Sequence, residues 1–481
     1  MTEVAAEAPR LTGGDSVLNF SLRIPAILPL MLAGLIVRLA IAPIDGFGVD
    51  MGTFQGWSQR LAAEGPWNFY KDDFFSDYAP GYMYVLWLIG EINQIAGFTA
   101  GQYQYALKLP SIVADLAGAY LLYVMLKDKP APMRLGVTAV YLFLPITFFV
   151  GALWGQVDSI LAFFLLLTVY YIDKDRPVAG AVAFTVGFLV KPQAIAALPF
   201  LAFWIIRDRL PRLEETDTGG RRLHVPRELI YCTLVPLGAL LVLIVPFFTY
   251  EPWRLISELY DSTNVANYRV NSFWAYNFWN IGGLFEMGFR CDLQSACDAN
   301  SAPNATEFLG IPTRYWSLGL FASGIGLTIV ALRKARGTGY LALGTALSML
   351  AFYMLLTRMH ERYVFAFFLP FLLACALLNS RFLWGIFVTT VVVHFLNLYH
   401  VFGYYYFFNP DYEGNYPGFI RLDFLYDWLA KSDVFGFTVP ILGTLSTVQF
   451  LSIVFVAASA ALLALAFVLS ERDSRARAAA Q

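Results

Sequence analysis

Apolar residues in this chain come in long runs separated by short polar stretches. The runs 26–42, 229–248, 315–332, 340–356, 382–398 and 448–469 each approach the roughly 20 residues with which a helix crosses about 30 Å of hydrocarbon. The apolar–polar alternation of a membrane barrel is absent, so helices must satisfy the backbone. The pattern predicts spans at about 25–43, 107–126, 135–151, 158–172, 177–190, 192–206, 228–248, 314–332, 338–356, 363–378, 382–402 and 448–470. One apolar stretch, 82–96, is left over; Tyr78-Ala-Pro-Gly81 precedes it and Gly90 and Glu91 interrupt it. It reads as a helix lying on or dipping into the outer face. The expected fold is therefore all-α, a polytopic helical membrane protein with about 12 transmembrane helices and juxtamembrane helices in its first outer loop.

Basic residues orient such a chain, because Lys and Arg stay on the cytoplasmic side. Clusters at 127–134, 174–176, 207–227, 333–336 and 472–477, with the N-terminus and Arg381, place about 20 cations on one side against about 12 on the other. That count predicts both termini in the cytoplasm. The implied organisation is a cytoplasmic segment 1–24, then a seven-helix module 25–248 with a first outer loop 44–106. An outer loop 249–313 follows, then C-terminal helices 314–470 with an outer loop 403–447, and a tail 471–481. Residues 1–24 are largely polar and show no small-residue cleavage site, so no cleaved leader is expected. The segment 207–227 contains Glu-Glu-Thr-Asp-Thr-Gly-Gly and reads as a mobile linker.

Composition agrees with the membrane assignment: 58% of the 481 residues are hydrophobic and 14% are charged, against about a quarter charged in soluble domains. The net charge of −2 gives no reason to expect nucleic acid. His224, His360, His394 and His400 are scattered, so no metal-ligand spacing arises, and no phosphate-binding glycine loop is present. Cys232 and Cys375 lie in apolar runs and read as buried hydrophobes. Cys291 and Cys297 share a polar loop, where a disulfide would imply an oxidising side.

Ionisable residues near a bilayer are costly, and each is a functional candidate. Asp50 precedes an amphipathic stretch, 51–63; it is either a general base under that lid or a helix cap. Asp77, in Ser76-Asp-Tyr-Ala-Pro-Gly81, suits a turn. In Trp154-Gly-Gln-Val-Asp158, Trp154 suits an interface anchor, while Gln156 and Asp158 fall in a crowded outer vestibule. Lys191 lies between two apolar segments and either snorkels to the interface or binds phosphate at membrane depth. Arg358-Met-His-Glu-Arg-Tyr363 packs two Arg, His360 and Glu361 into one short connection, the composition of either a solvated loop or an anion site. Neither Lys191 nor Arg362 has an obvious partner in the sequence.

Taken in order, the Asp50 loop, Asp77-Tyr-Ala-Pro-Gly81, Trp154-Gly-Gln-Val-Asp158, Lys191-Pro-Gln193 and His360-Glu-Arg-Tyr363 resemble the C-type superfamily of membrane glycosyltransferases. The resemblance is greatest to bacterial proteins similar to the mannosyltransferase that adds the second mannose of glycosylphosphatidylinositol, and it covers residues 45–363. It implies an inverting transfer of mannose or another hexose from a polyprenyl-phosphate donor to a glycolipid, glycan or protein hydroxyl on the outer membrane face, with no cofactor and no metal. Asp50 would be the base, and Lys191, Arg362 and His360 would hold the donor phosphate. Asp77, Gln156, Asp158 and Glu361 would orient substrate. Members often carry two adjacent acidic residues in the first loop; here Met51 follows Asp50, and Asp45 is an alternative base. A lipid or sugar transporter would share the buried charges and broken helices but should show pseudo-symmetric halves, which the motif order and loop lengths lack. A non-catalytic assembly protein would have no evident use for a charged vestibule.

Overall fold

The computed structural model describes residues 25–70, 74–209, 212–215, 221–224, 226–248, 270–281, 306–411, 414, 416–436, 438 and 444–480. Its helices in chain order are α1 Ile27–Ile41, α2 Gly48–Glu64, α3 Pro80–Ala96, α4 Ala100–Met125, α5 Ala131–Phe143, α6 Pro145–Phe148, α7 Asp158–Asp173, α8 Pro177–Val190, α9 Leu198–Arg207 and α10 Arg227–Ile244. Then come α11 Thr313–Leu332, α12 Thr338–Leu355, α13 Phe365–Leu378, α14 Arg381–Phe402, α15 Asp423–Leu429 and α16 Thr447–Ala480. Among the described residues, seven helices are long and apolar enough to cross a membrane, eight if the bent pair 131–154 counts as one span. Each of the twelve predicted spans falls on helix, and the all-α polytopic fold stands. The expected disulfide of Cys291 and Cys297 lies outside the described residues.

Boundaries differ where local chemistry overrides hydropathy. Helix α4 begins at Ala100 because Thr99 and Gln102 form a reciprocal capping box, well before its apolar run. Pro192 denies α8 a continuation, so the chain passes through a 3₁₀ segment, Pro192–Ala197, into α9. Where a linker was expected after α9, β1 (Arg212–Glu215) and β2 (Arg221–His224) pair antiparallel, with Glu215 in register with Arg221; the Thr-Asp-Thr-Gly-Gly between them is turn-forming sequence. Cys375 is buried as expected, but Cys232 is half-exposed on a groove along α10.

Helices α12 and α13 are buried along nearly their whole length and form the centre, packed against α7. Helix α10 exposes most of its surface, as a lipid-facing helix does. Both α7 and α14 run from one end of this bundle to the other. One end gathers the start of α7 at Asp158, the end of α8 at Val190 and the turn between α12 and α13; the other gathers Asp173, Arg207 and Arg336.

Two features inside the apolar layer went unread in the sequence. Arg38 of α1 and Asp115 of α4 form an ion pair at 3.0 Å, with both side chains fully buried. Arg38 also donates to the Leu142 carbonyl at 2.9 Å and Thr147 Oγ1 at 3.0 Å. Lys108 is fully buried and donates to the carbonyls of Ala42 (3.0 Å) and Ile44 (2.5 Å), the orphan acceptors where α1 ends.

The amphipathic α2 packs on α3, burying Met51, Phe54, Trp57 and Leu61. The two backbones meet where Ser58 Oγ donates to the Leu86 carbonyl at 2.7 Å. Gly90 makes this approach possible, since a Cβ there would lie 2.2 Å from the Ser58 carbonyl oxygen. Gly81 similarly lets the start of α3 abut the end of α8, where a Cβ would lie 2.6 Å from the Leu189 carbonyl carbon. Gly90→Ala and Gly81→Ala should each lower stability by about 1–3 kcal/mol through overpacking. Gly52→Ala, which meets nothing within 4 Å, should be neutral or stabilise by up to about 1 kcal/mol. Thermal unfolding of the three purified variants in detergent checks the contrast; equal melting temperatures would refute the close-approach account.

Candidate functional site

The site begins with a frame that sets α2. Glycine at position 46 lets the loop press against Trp154, whose carbonyl oxygen would lie 2.8 Å from an added Cβ. The Phe47 amide donates to that same carbonyl at 3.0 Å, and the Phe47 and Trp154 rings stack at 4.3 Å. Tyr406 Oη accepts from the Val49 amide at 3.1 Å. Asp50 then falls in the first turn of α2, where a carboxylate complements the helix dipole. It makes no side-chain cap; its Oδ2 accepts from Trp154 Nε1 at 2.7 Å. Trp154 is fully buried, so it serves as a ligand of Asp50 rather than as the expected interface anchor.

Opposite Asp50 stands Arg362, in the 3₁₀ turn Glu361–Val364 that opens α13. Its Nη2 lies 3.6 Å from Asp50 Oδ1, beyond hydrogen-bond length, while its Nη1 donates to Glu361 Oε1 at 2.8 Å. The turn is placed by a short parallel pairing of β3 (Ser272–Phe273) with β4 (Met359–His360). Arg358, just before it, sits at φ +68° with its amide donating to the Val270 carbonyl at 3.0 Å. A non-glycine residue there stores strain of about 1–3 kcal/mol.

Lys191 is 2% exposed and donates to Asp158 Oδ1 at 2.7 Å. Gln156 Oε1 accepts from Tyr78 Oη at 3.0 Å and faces Lys191 Nζ at 3.4 Å. The two cations meet at Tyr363: Lys191 Nζ is 5.7 Å and Arg362 Cζ 5.9 Å from its ring centroid. Lys191 and Arg362, whose partners are not obvious in the sequence, are thus both paired. Each has a carboxylate, supplied by a distant segment for Lys191 and by the adjacent residue for Arg362.

Asp77 joins this group electrostatically. Burial, and then the Asp50 carboxylate, push its carboxyl up to about 6. His360 goes the other way: burial, then Arg362 and Lys191, hold its imidazole well below its ordinary range. It is neutral at neutral pH and offers one N–H rather than a positive charge. Of the two candidate bases, Asp50 meets the cations, whereas Asp45 lies beside Lys108.

Several buried polar atoms here have no hydrogen-bond partner among the described residues: Ser76 Oγ, Tyr82 Oη, Asp158 Oδ2, Gln193 Oε1 and Arg362 Nε. Buried polar atoms are seldom left this way, since each costs about 1–3 kcal/mol. Ser76, Asp158, Gln193 and Arg362 come from the same short motifs as the charged cluster, a composition suited to a polyhydroxylated, anionic ligand. Tyr78 and Tyr363 were missed as individual site residues, although both stand inside motifs that the sequence reading singled out.

No protein-family model matches the chain, and no curated protein matches it. Among solved structures it is similar to ArnT from Cupriavidus metallidurans, in crystal structures of the apo state (TM-score 0.49) and of the undecaprenyl phosphate complex (TM-score 0.48). Identity is 15% in both, over 92% of this chain and 77% of that one. A likeness at that level assigns neither an activity nor a substrate.

Breaking a buried ion pair by removing one partner costs about 3–5 kcal/mol. Lys191→Met and Asp158→Asn should each destabilise the chain by that order, and the double variant by clearly less than their sum. A double-mutant cycle on thermal unfolding measures the coupling; additive losses would show that the two side chains do not depend on each other.

Proposed function

We propose that this chain is an inverting glycosyltransferase that moves one sugar, mannose or another hexose, from a polyprenyl-phosphate donor to an acceptor hydroxyl on the non-cytoplasmic membrane face. The observation that carries this reading is the meeting of Asp50, Lys191 and Arg362, from three distant segments, at one end of an apolar helix bundle. The opposite end is rich in arginine, at Arg207, Arg333, Arg336 and Arg472, which supports a cytoplasmic location for it. An apolar groove of about 700 Å³ between α7, α8, α9 and α10, lined by residues such as Phe188, Leu198 and Pro236, suits an isoprenoid chain.

In the proposed reaction the acceptor oxygen attacks the anomeric carbon and the bond from that carbon to the phosphate oxygen breaks. Asp50 takes the hydroxyl proton. The leaving lipid phosphate keeps the electron pair, its charge matched by Lys191 and Arg362. The contact at 3.6 Å between Arg362 and Asp50 is the weak link in the resting network. A donor phosphate competing for Arg362 would free the Asp50 carboxylate to act as base. Neutral His360 donates a hydrogen bond, and Gln156, Asp158, Glu361 and Asp77 orient hydroxyls. No cofactor or metal enters this scheme.

The test is incubation of purified protein with a panel of radiolabelled polyprenyl-phosphate sugars and membrane acceptors. Asp50→Asn should lower turnover by about 10²–10⁴-fold with donor affinity retained. Arg362→Ala should instead weaken donor binding, since a lost charge-assisted bond costs about 1.5–3 kcal/mol. Transfer by none of the donors, or full turnover in Asp50→Asn, would sink the proposal.

A pH dependence follows from Asp77. Its carboxyl titrates at about 6: below that it is neutral, and above it adds negative charge beside the proposed phosphate site. A sugar phosphodiester stays singly charged throughout this range, so donor Kd should rise as pH passes from about 5 to 7. Asp77→Asn should flatten that rise; an unchanged pH profile in the variant would assign the titration elsewhere.

A further inference from the structure

At the end of the bundle away from the charged cluster, the end of α11 and residues 467–475 of α16 line an open groove of about 580 Å³. Its polar rim carries Arg333, Lys334, Arg472 and Arg475, four cations against the single carboxylate of Glu471. Glu471 is already shared, lying 3.3 Å from Lys334 Nζ and 3.4 Å from Arg475 Nε. The side chains of Arg333 and Arg472 make no hydrogen bond or ion pair with another described residue. Below the rim the wall turns apolar at once, with Val330 44% and Val468 62% exposed and Phe467 beside them. The apolar run of α16 ends at Leu469 and charge begins at Glu471, so the change of character falls where that helix leaves the hydrocarbon. The rim is braced by Arg477, whose Nη2 donates to the Lys334 carbonyl at 2.5 Å and ties α16 to the end of α11.

We propose that this groove is a binding site for an anionic glycerophospholipid of the adjoining leaflet. The headgroup phosphate sits on Arg333 and Arg472, and an acyl chain runs down Val330, Phe467 and Val468. Charge complementarity and the position of the apolar boundary select this occupant. A soluble anion would use the rim and leave the exposed wall unused, and a zwitterionic lipid would bring its own cation against four others. Basic pockets between membrane helices recognise anionic headgroups in this way, each basic residue near the surface strengthening binding about fivefold. The site is independent of the transferase reading and lies at the other end of the bundle.

The test is native mass spectrometry of the purified, delipidated full chain titrated with phosphatidylglycerol and, separately, with phosphatidylcholine of the same chain length. The wild type should prefer phosphatidylglycerol. Arg333→Ala and Arg472→Ala should each lower its affinity about fivefold, and the double variant about 25-fold, with phosphatidylcholine unaffected. Arg472→Lys, which keeps the charge, should retain most of the preference and guards against loss through misfolding. No preference in the wild type, or full preference in a monodisperse double variant, overturns the proposal. Displacement of phosphatidylglycerol by millimolar inorganic phosphate also overturns it, by assigning the rim to a soluble anion.

Discussion

A lysine ammonium that is 2% exposed among apolar helices is tolerated only beside a carboxylate, and the arrangement of the charged end follows from that requirement. Lys191 ends α8, and Asp158 begins α7. Their contact at 2.7 Å fixes how those two helices meet. Gln156 extends the pair to Tyr78, which brings the start of α3 into the same network. The turn carrying Arg362 meets this network, where Tyr363 sets its ring beside both cations.

The second constraint is aromatic. Phe47 on Trp154, with Tyr405 and Tyr406 edge-on against Phe47, is a rigid packing that leaves little freedom to the first turn of α2. Trp154 then acts twice, as a packing surface through its ring and as a donor to Asp50 through its indole nitrogen. Positioning a carboxylate by a buried indole keeps one oxygen occupied and directs the other towards Arg362. Asp50 is therefore held by aromatic packing and one indole N–H.

Much of this was legible along the chain. Hydropathy located the spans, and the short motifs around Asp50, Asp77, Asp158, Lys191 and Arg362 were each visible as polar breaks in apolar surroundings. Pairing was less legible, because Asp158 and Lys191 are 33 positions apart and nothing in their spacing announces a contact. Trp154 was misread because an indole near a predicted membrane boundary fits an interface belt as well as it fits a buried donor. Arg38, Lys108 and Asp115 were passed over for a different reason: single charges within otherwise apolar runs did not disturb the span assignment, although the cost of burying them should have marked all three. The hairpin after α9 escaped because its short strands offer too little hydrophobic periodicity to stand out from a linker.

The ion pair of Arg38 and Asp115 bears on how the chain is built as it enters the bilayer. An arginine in an apolar helix is costly, about 2.5–3.5 kcal/mol at the helix centre and less towards its ends, and Arg38 lies in the last turn of the 15-residue α1. Its counter-charge arrives 77 positions later, on α4. The Arg38 side chain therefore has its counter-charge only once α4 is in place beside α1. The charge that α1 carries is thus balanced only by a residue of another helix.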